Sequence, residues 1–201
     1  NLPDEHREEV YLENNPENPE AGTRAVPFTK TLYIEQDDFM EEPPPKYYRL
    51  APGREVRLKG AYIVKCTSVD KDPKTGEIKA IHCVYDPDSK SGTSTKRTKA
   101  TIHWVSATEC IEAEVRLYDR LFKEPNPDEC EDFLQCLNPN SLEVLKGCKI
   151  EPSLREAKVG DIFQFLRVGY FAVDPDSEKG IPVFNRAVTL RDEWAKIKKK
   201  L

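Results

Sequence analysis

At 201 residues the chain is long enough for one large or two small domains with real cores, and 38% hydrophobic with 33% charged residues describes a globular protein with a wet surface. A formal net charge of −5 excludes a generic polyanion binder, and no apolar run approaches the length of a membrane span. The six cysteines (66, 83, 110, 130, 136 and 148) contain no C-x-x-C and fall at irregular gaps, so they read as unpaired, reduced small hydrophobes of a cytoplasmic protein.

Residues 1–20 hold seven acids against Arg7 alone, a net of −6, which leaves the remaining chain at about +1. Residues 1–24 therefore read as an acidic lead-in, extended or poorly ordered. The chain opens at Asn1 in mid-acidic stretch without a methionine, which reads as a fragment of something longer. Val26–Glu35 is the first segment in strand alternation. Arg54–Asp70 and Glu77–Asp86 flank a hairpin loop running from Asp70 to Gly76. Thr101–Ser106 follows the polar loop SKSGTSTKRTK. Ile111–Leu117 is the clearest strand, with Ile111, Ala113, Val115 and Leu117 on one face and Glu112, Glu114, Arg116 and Tyr118 on the other. Asp128–Leu137 suggests a short helix. Asp161–Asp174 and Pro182–Leu190 form a second hairpin, and Leu190–Leu201 has the spacing and basic tail of a helix C-terminus. The class is all-β: two consecutive small β-barrels with short helices and a C-terminal helix. Residues 25–110 and 160–201 supply barrel strands, and 111–159 is a connecting barrel segment.

Catalytic signatures are absent. No two of the nine glycines lie closer than seven positions, which rules out G-x-G-x-x-G, and there is no Gly-Lys dipeptide for a phosphate loop. His6, His82 and His103 are scattered. Asp70-x-Asp72 and Asp86-x-Asp88 resemble calcium loops, but each puts Lys where a third oxygen ligand belongs, so turn chemistry explains them and no metal is expected.

What remains is binding. Lys46 to Lys59, KYYRLAPGREVRLK, sets five cations (Lys46, Arg49, Arg54, Arg57 and Lys59) and two tyrosines against the single acid Glu55. Two readings fit: a solvated charged sheet face, or a single-stranded RNA surface, since arginine forks fit phosphates and base edges while tyrosine faces stack on bases. Strand alternation turns Arg57 and Lys59 away from Val56 and Leu58. In FQFLRVGYF (163–171), Gln164 likewise projects opposite Phe163 and Phe165, near Arg167.

These segments resemble the C-terminal anticodon-binding region of glutaminyl-tRNA synthetase, a class I aminoacyl-tRNA synthetase. The resemblance runs from about Asn14 to Lys199 and is carried by AGTRAVPF (21–28), LYIEQDDF (32–39), YYRLAPGREVRLKGAYIVKC (47–66), ATIHWVSA (100–107), VRLYDRLF (115–122), EPSL (151–154), DIFQFLRVGYF (161–171) and FNRAVTLRDEWAK (184–196). It implies two barrels that hold unstacked anticodon bases of tRNA(Gln) in pockets formed by Tyr48, Arg49, Arg57, Lys59, Gln164 and Arg167. Lys often stands at the place of Tyr48 in that family, and Arg at the place of Lys59. The resemblance further implies a monomer whose parent chain carries an upstream catalytic domain using ATP and magnesium, with no cofactor in this portion. The corresponding region of a glutamyl-tRNA synthetase, or a standalone β-barrel RNA or protein interaction module, are the alternatives.

Overall fold

A computed structural model describes residues 1–177 and 180–190. The helix expected over Leu190–Leu201 falls, past its first residue, outside the described residues. The chain divides into two compact units, Asn1–Cys110 with Glu151–Ser153, and Ile111–Ile150 with the described chain from Leu154.

The first unit holds β1 (Arg7–Glu13), β2 (Thr23–Thr29), β3 (Leu32–Tyr33), β4 (Glu55–Leu58), β5 (Ile63–Lys71), β6 (Ile78–Asp86), β7 (Thr101–Ile102) and β8 (Val105–Ser106). β1 pairs with β2, β3 with β8, and the other four form a sheet in the order β6-β5-β4-β7. The acidic lead-in is thus an ordered strand, not a loose arm. Val10 and Leu12 sit two residues apart among acids, so one face of β1 is apolar and buries against Val26 and Phe28. Phe28 meets Trp104 edge-on, with ring centroids 5.2 Å apart. Val56, Leu58, Val64 and Ile102 complete this core.

Arg54–Asp70, expected as one strand, is broken between Leu58 and Tyr62. The Leu58 N–H donates to the Tyr62 carbonyl at 2.8 Å, and Gly60 takes φ +70°, which residues with a Cβ rarely adopt. The expected β5–β6 loop is present. Asp72 Oδ1 accepts from the Lys74 and Thr75 N–H groups, and the Gly76 N–H donates to the Asp72 carbonyl.

The second unit is one sheet of β9 (Ile111–Tyr118), β10 (Leu142–Ile150), β11 (Ile162–Phe165), β12 (Gly169–Val173) and β13 (Val183–Thr189), in the order β10-β9-β13-β12-β11. β9 alternates as expected: Ala113 and Val115 are buried, Glu112 and Tyr118 exposed. They pack with Ile150, Phe171, Val173 and Phe184, and Phe165 stacks on Phe171 at 4.3 Å. Asp161–Asp174 is not one arm but a hairpin in itself. It turns at Leu166–Val168, where the Val168 N–H donates to the Phe165 carbonyl and Arg167 takes φ +66°.

Two further expectations are corrected. Asp128–Leu137 forms two single turns of 3-10 helix, Pro127–Glu129 and Phe133–Cys136, because the Asp132 side chain caps Leu134 N–H and restarts the chain between them. Those turns bring the Cα atoms of Cys130 and Cys136 to 6.8 Å, and the two are joined as a disulfide. The six-residue spacing matches no motif, so only the folded turns reveal the pair. Cys66, Cys83, Cys110 and Cys148 form no disulfide among the described residues. The all-β class is borne out; among the described residues the sheets stay open and do not close into hydrogen-bonded rings.

Candidate nucleic-acid interface

In the first unit, the two tyrosines of KYYRL separate by direction. Tyr47 is buried, donating its hydroxyl to the Asp37 carbonyl at 3.1 Å, while Tyr48 is 55% exposed. Arg54 Nη1 donates to the Tyr47 carbonyl at 2.6 Å and secures the segment. Lys99 Nζ lies 5.7 Å from the centre of the Tyr48 ring, a cation–π distance. Arg49 turns inward: its side chain is 12% exposed and Nη1 sits 3.3 Å from Oδ1 of the fully buried Asp38. Its charge is thereby matched within the fold.

β4 shows the expected alternation, with Val56 and Leu58 inside and Arg57 and Lys59 outside. The Arg57 guanidinium, however, folds onto the loop that follows β6. Nη1 donates to the Ser89 carbonyl (2.6 Å) and Ser91 Oγ (3.1 Å), and Nη2 donates to the Lys96 carbonyl (2.7 Å). Between Arg57 and residues 91–97 lies an open cavity of about 380 Å³ lined by hydroxyls and cations. Lys96 Nζ is 2.9 Å from Asp86 and 3.8 Å from Glu55. The hydrogen bond to Asp86, with the nearby carboxylates, holds the Lys96 ammonium above its ordinary range and the Asp86 carboxyl below its own. Lys90 is drawn to Glu8 at 3.6 Å. Lys59 and Arg97 are exposed and form no ion pair among the described residues.

Polar composition alone does not mark this loop as a site. Its signal was there: Lys90 to Lys99 contains four cations, five hydroxyls and no acid.

In the second unit, Gln164 is exposed while Phe163 and Phe165 pack toward the core. It pairs directly with Tyr170 on β12, and Tyr170 with Val188 on β13. An amide, an aromatic face and an aliphatic side chain thus form one exposed row across three strands. Arg167 sits at the β11–β12 turn beside them in sequence.

Charged residues in the first unit also form a partly buried cluster around Glu151 that sequence reasoning missed. Arg24 Nε and Nη2 grip the two oxygens of Glu151 at 2.6 and 3.1 Å, and His103 Nε2 lies 3.2 Å from Oε1. Burial pushes the Glu151 carboxyl up, but the hydrogen bonds from His103 and Arg24 outweigh it and bring the group down to about 2. Arg24 and Glu151 lie 127 positions apart, which no local pattern records. No group of three or more His, Cys, Asp or Glu side chains placed to hold a metal ion occurs among the described residues.

The structure thus gathers Tyr48, Lys99, Arg57, Lys96 and Arg97 along one loop of the first unit, turns Arg49 inward, and leaves Lys59 exposed. Gln164 and Arg167 belong to the second unit. Two family models, both described as the anticodon-binding domain of class I tRNA synthetases (E and Q), match residues 1–86 and 101–174. The chain is 53% identical over 201 residues to a glutamine–tRNA ligase of Nitrosomonas europaea, covering 98% of this chain and 36% of that protein. It is 51% identical to one of Clostridium perfringens (96% and 36% covered) and 48% identical to one of Bradyrhizobium diazoefficiens (98% and 35% covered). The chain spans about a third of the length of the curated relatives it matches.

Proposed function

We propose that this chain, which belongs to the anticodon-binding family of the class I tRNA synthetases for E and Q, holds and reads the anticodon end of a glutamine tRNA for a parent ligase. The observation that carries this reading is an identity of about half, sustained along nearly the whole chain, to relatives named glutamine–tRNA ligase. In the parent, an upstream catalytic domain joins glutamine to its tRNA using ATP and magnesium. This portion supplies position and specificity.

Each unit offers its own chemistry for an unstacked base. The displayed ring of Tyr48, with Lys99 on it, is a stacking platform of the kind that contributes ~1–3 kcal/mol per base. Lys59 adds an uncommitted cation beside the strand that carries Arg57. Gln164 both donates and accepts, so its amide meets a base edge in two places at once, flanked by Tyr170. Arg167 stands at the turn beside the second set, and Arg49, turned onto Asp38, fixes the segment that displays Tyr48.

The test is binding of the complete protein to isolated anticodon stem-loops at fixed salt. A stem-loop with a glutamine anticodon is expected to bind tighter than glutamate and unrelated ones. Gln164→Ala should erase about 1–3 kcal/mol of that preference at a single anticodon position. Equal affinity of the wild-type protein for every stem-loop overturns the proposal.

A further inference from the structure

We propose that the cavity between Arg57 and the Ser91–Arg97 loop is a seat for a backbone phosphate of the bound RNA, with Arg57 as the pin that shapes the loop and Arg97 as the cation that meets the ligand. This inference rests on the RNA-binding reading above and deepens it. Three of the loop's four cations are already engaged. Lys90 lies against Glu8, Lys96 against Asp86 and Glu55, and Lys99 over the Tyr48 ring. Arg97 is exposed, lines the cavity, and makes no ion pair or cation–π contact among the described residues.

The hydroxyls divide in the same way. Ser91 Oγ donates to the Ala61 carbonyl at 2.9 Å and receives Arg57, while Ser94 Oγ receives the Lys96 N–H. Thr95, on the cavity wall, uses its hydroxyl for no bond among the described residues. Arg57 spends its Nη1 and Nη2 groups on the Ser89 and Lys96 carbonyls and Ser91, at both ends of the loop. A guanidinium used in that way is a positioning group. The wall left open presents a fork-shaped cation and a free hydroxyl, donors suited to phosphate oxygens. Lys96 answers the carboxylates of Asp86 and Glu55, which lessens their repulsion of an anion, and what Arg97 and Thr95 present is a charge and a hydroxyl without the donor–acceptor pattern that tells one base from another. The site is therefore blind to sequence.

The experiment measures binding of two anticodon stem-loops, one glutamine-type and one unrelated, to the complete wild-type protein and to its Arg97→Ala variant across a salt series. Arg97 makes no side-chain contact that the fold needs, so the variant keeps the native structure; circular dichroism verifies this. Expected is a loss of about 3–10-fold, equal for both stem-loops, with the slope of log affinity against log salt reduced by about 1. Thr95→Val should weaken both RNAs equally without moving the slope. An unchanged slope in Arg97→Ala overturns the phosphate seat while leaving the anticodon reading intact, provided wild type still prefers the glutamine stem-loop. A loss confined to one stem-loop overturns it as well, since the cavity would then be reading a base. If the wild-type protein binds neither RNA, both proposals fall.

Discussion

Glu151 is where burial and charge oppose each other most directly in this molecule. Its carboxylate is 8% exposed, and desolvation alone would favour the neutral acid. Arg24 and His103 reverse that preference and hold the group at about 2, against an ordinary 4.5. A carboxyl whose folded value lies below its unfolded value stabilises the fold fully above about pH 4.5 and loses that contribution as pH falls toward about 2. The shift corresponds to on the order of 3 kcal/mol. Urea unfolding of the first unit, followed by hydrogen exchange, should show wild type above Glu151→Gln by about that amount near neutral pH. The gap should close as the solution is acidified below about pH 4. A constant gap across that range would mean that Glu151 acts through shape and not charge. Arg49 and Asp38 pose a related case at a smaller scale: a cation chosen from the sequence as a reader is half spent on the fold.

The turns between strands, more than the strands, decide which side chains face outward. Gly60 lies at φ +70°, and a Cβ there would come 2.0 Å from Leu12 Cδ2, an atom of the buried core. Gly60→Ala should therefore cost roughly 2–4 kcal/mol, combining left-handed backbone strain with overpacking. Gly169→Ala meets a harder wall, the Val188 carbonyl oxygen at 2.4 Å, and should part β12 from β13 around the Gln164–Tyr170 row. Gly76→Ala, at φ +75° with open space around it, should cost only about 1 kcal/mol. Melting temperatures of the three variants check the order; a Gly60 variant no worse than the Gly76 one would refute the Leu12 contact. The same turns explain what the sequence made legible. Alternation in β4, β9 and β11 is written in consecutive residues, so the outward set of Arg57, Lys59 and Gln164 follows from period two. The breaks at Gly60 and Leu166–Val168 carry weak local signals inside otherwise strand-like runs, and each merged two strands into one expected arm. The strand under the acidic lead-in is hard to see in the sequence because the acids around it outnumber the two alternating apolar residues, Val10 and Leu12. The Arg24–Glu151–His103 cluster and the Cys130–Cys136 bond depend on chain returns that only folding supplies.

At the scale of the whole molecule the charge problem returns: a chain of net −5 is proposed to bind a polyanion. The fold answers by keeping much of its charge busy at home. Lys30 lies on Asp4, Arg7 on Glu109, Lys149 on Glu112, and Arg116 on Glu114 and Asp176. Of the basic stretch and its neighbouring loop, Arg49, Lys90 and Lys96 are likewise matched by acids, which leaves Lys46, Lys59 and Arg97 among the exposed cations with no ion pair in the described residues. Few uncommitted cations mean few released counterions. For single strands each neutralised phosphate contributes about 0.7 to the salt slope, so two to four contacts predict a slope of roughly −1.5 to −3. Binding of the complete protein to a homopolymeric single-stranded RNA should accordingly be weak, while the glutamine stem-loop gains its affinity from stacking and base edges that salt does not screen. Raising the salt should then widen the ratio between stem-loop and homopolymer. A slope steeper than about −5, or a homopolymer bound as tightly as the stem-loop, would mean that the acidic background does not confine binding as argued.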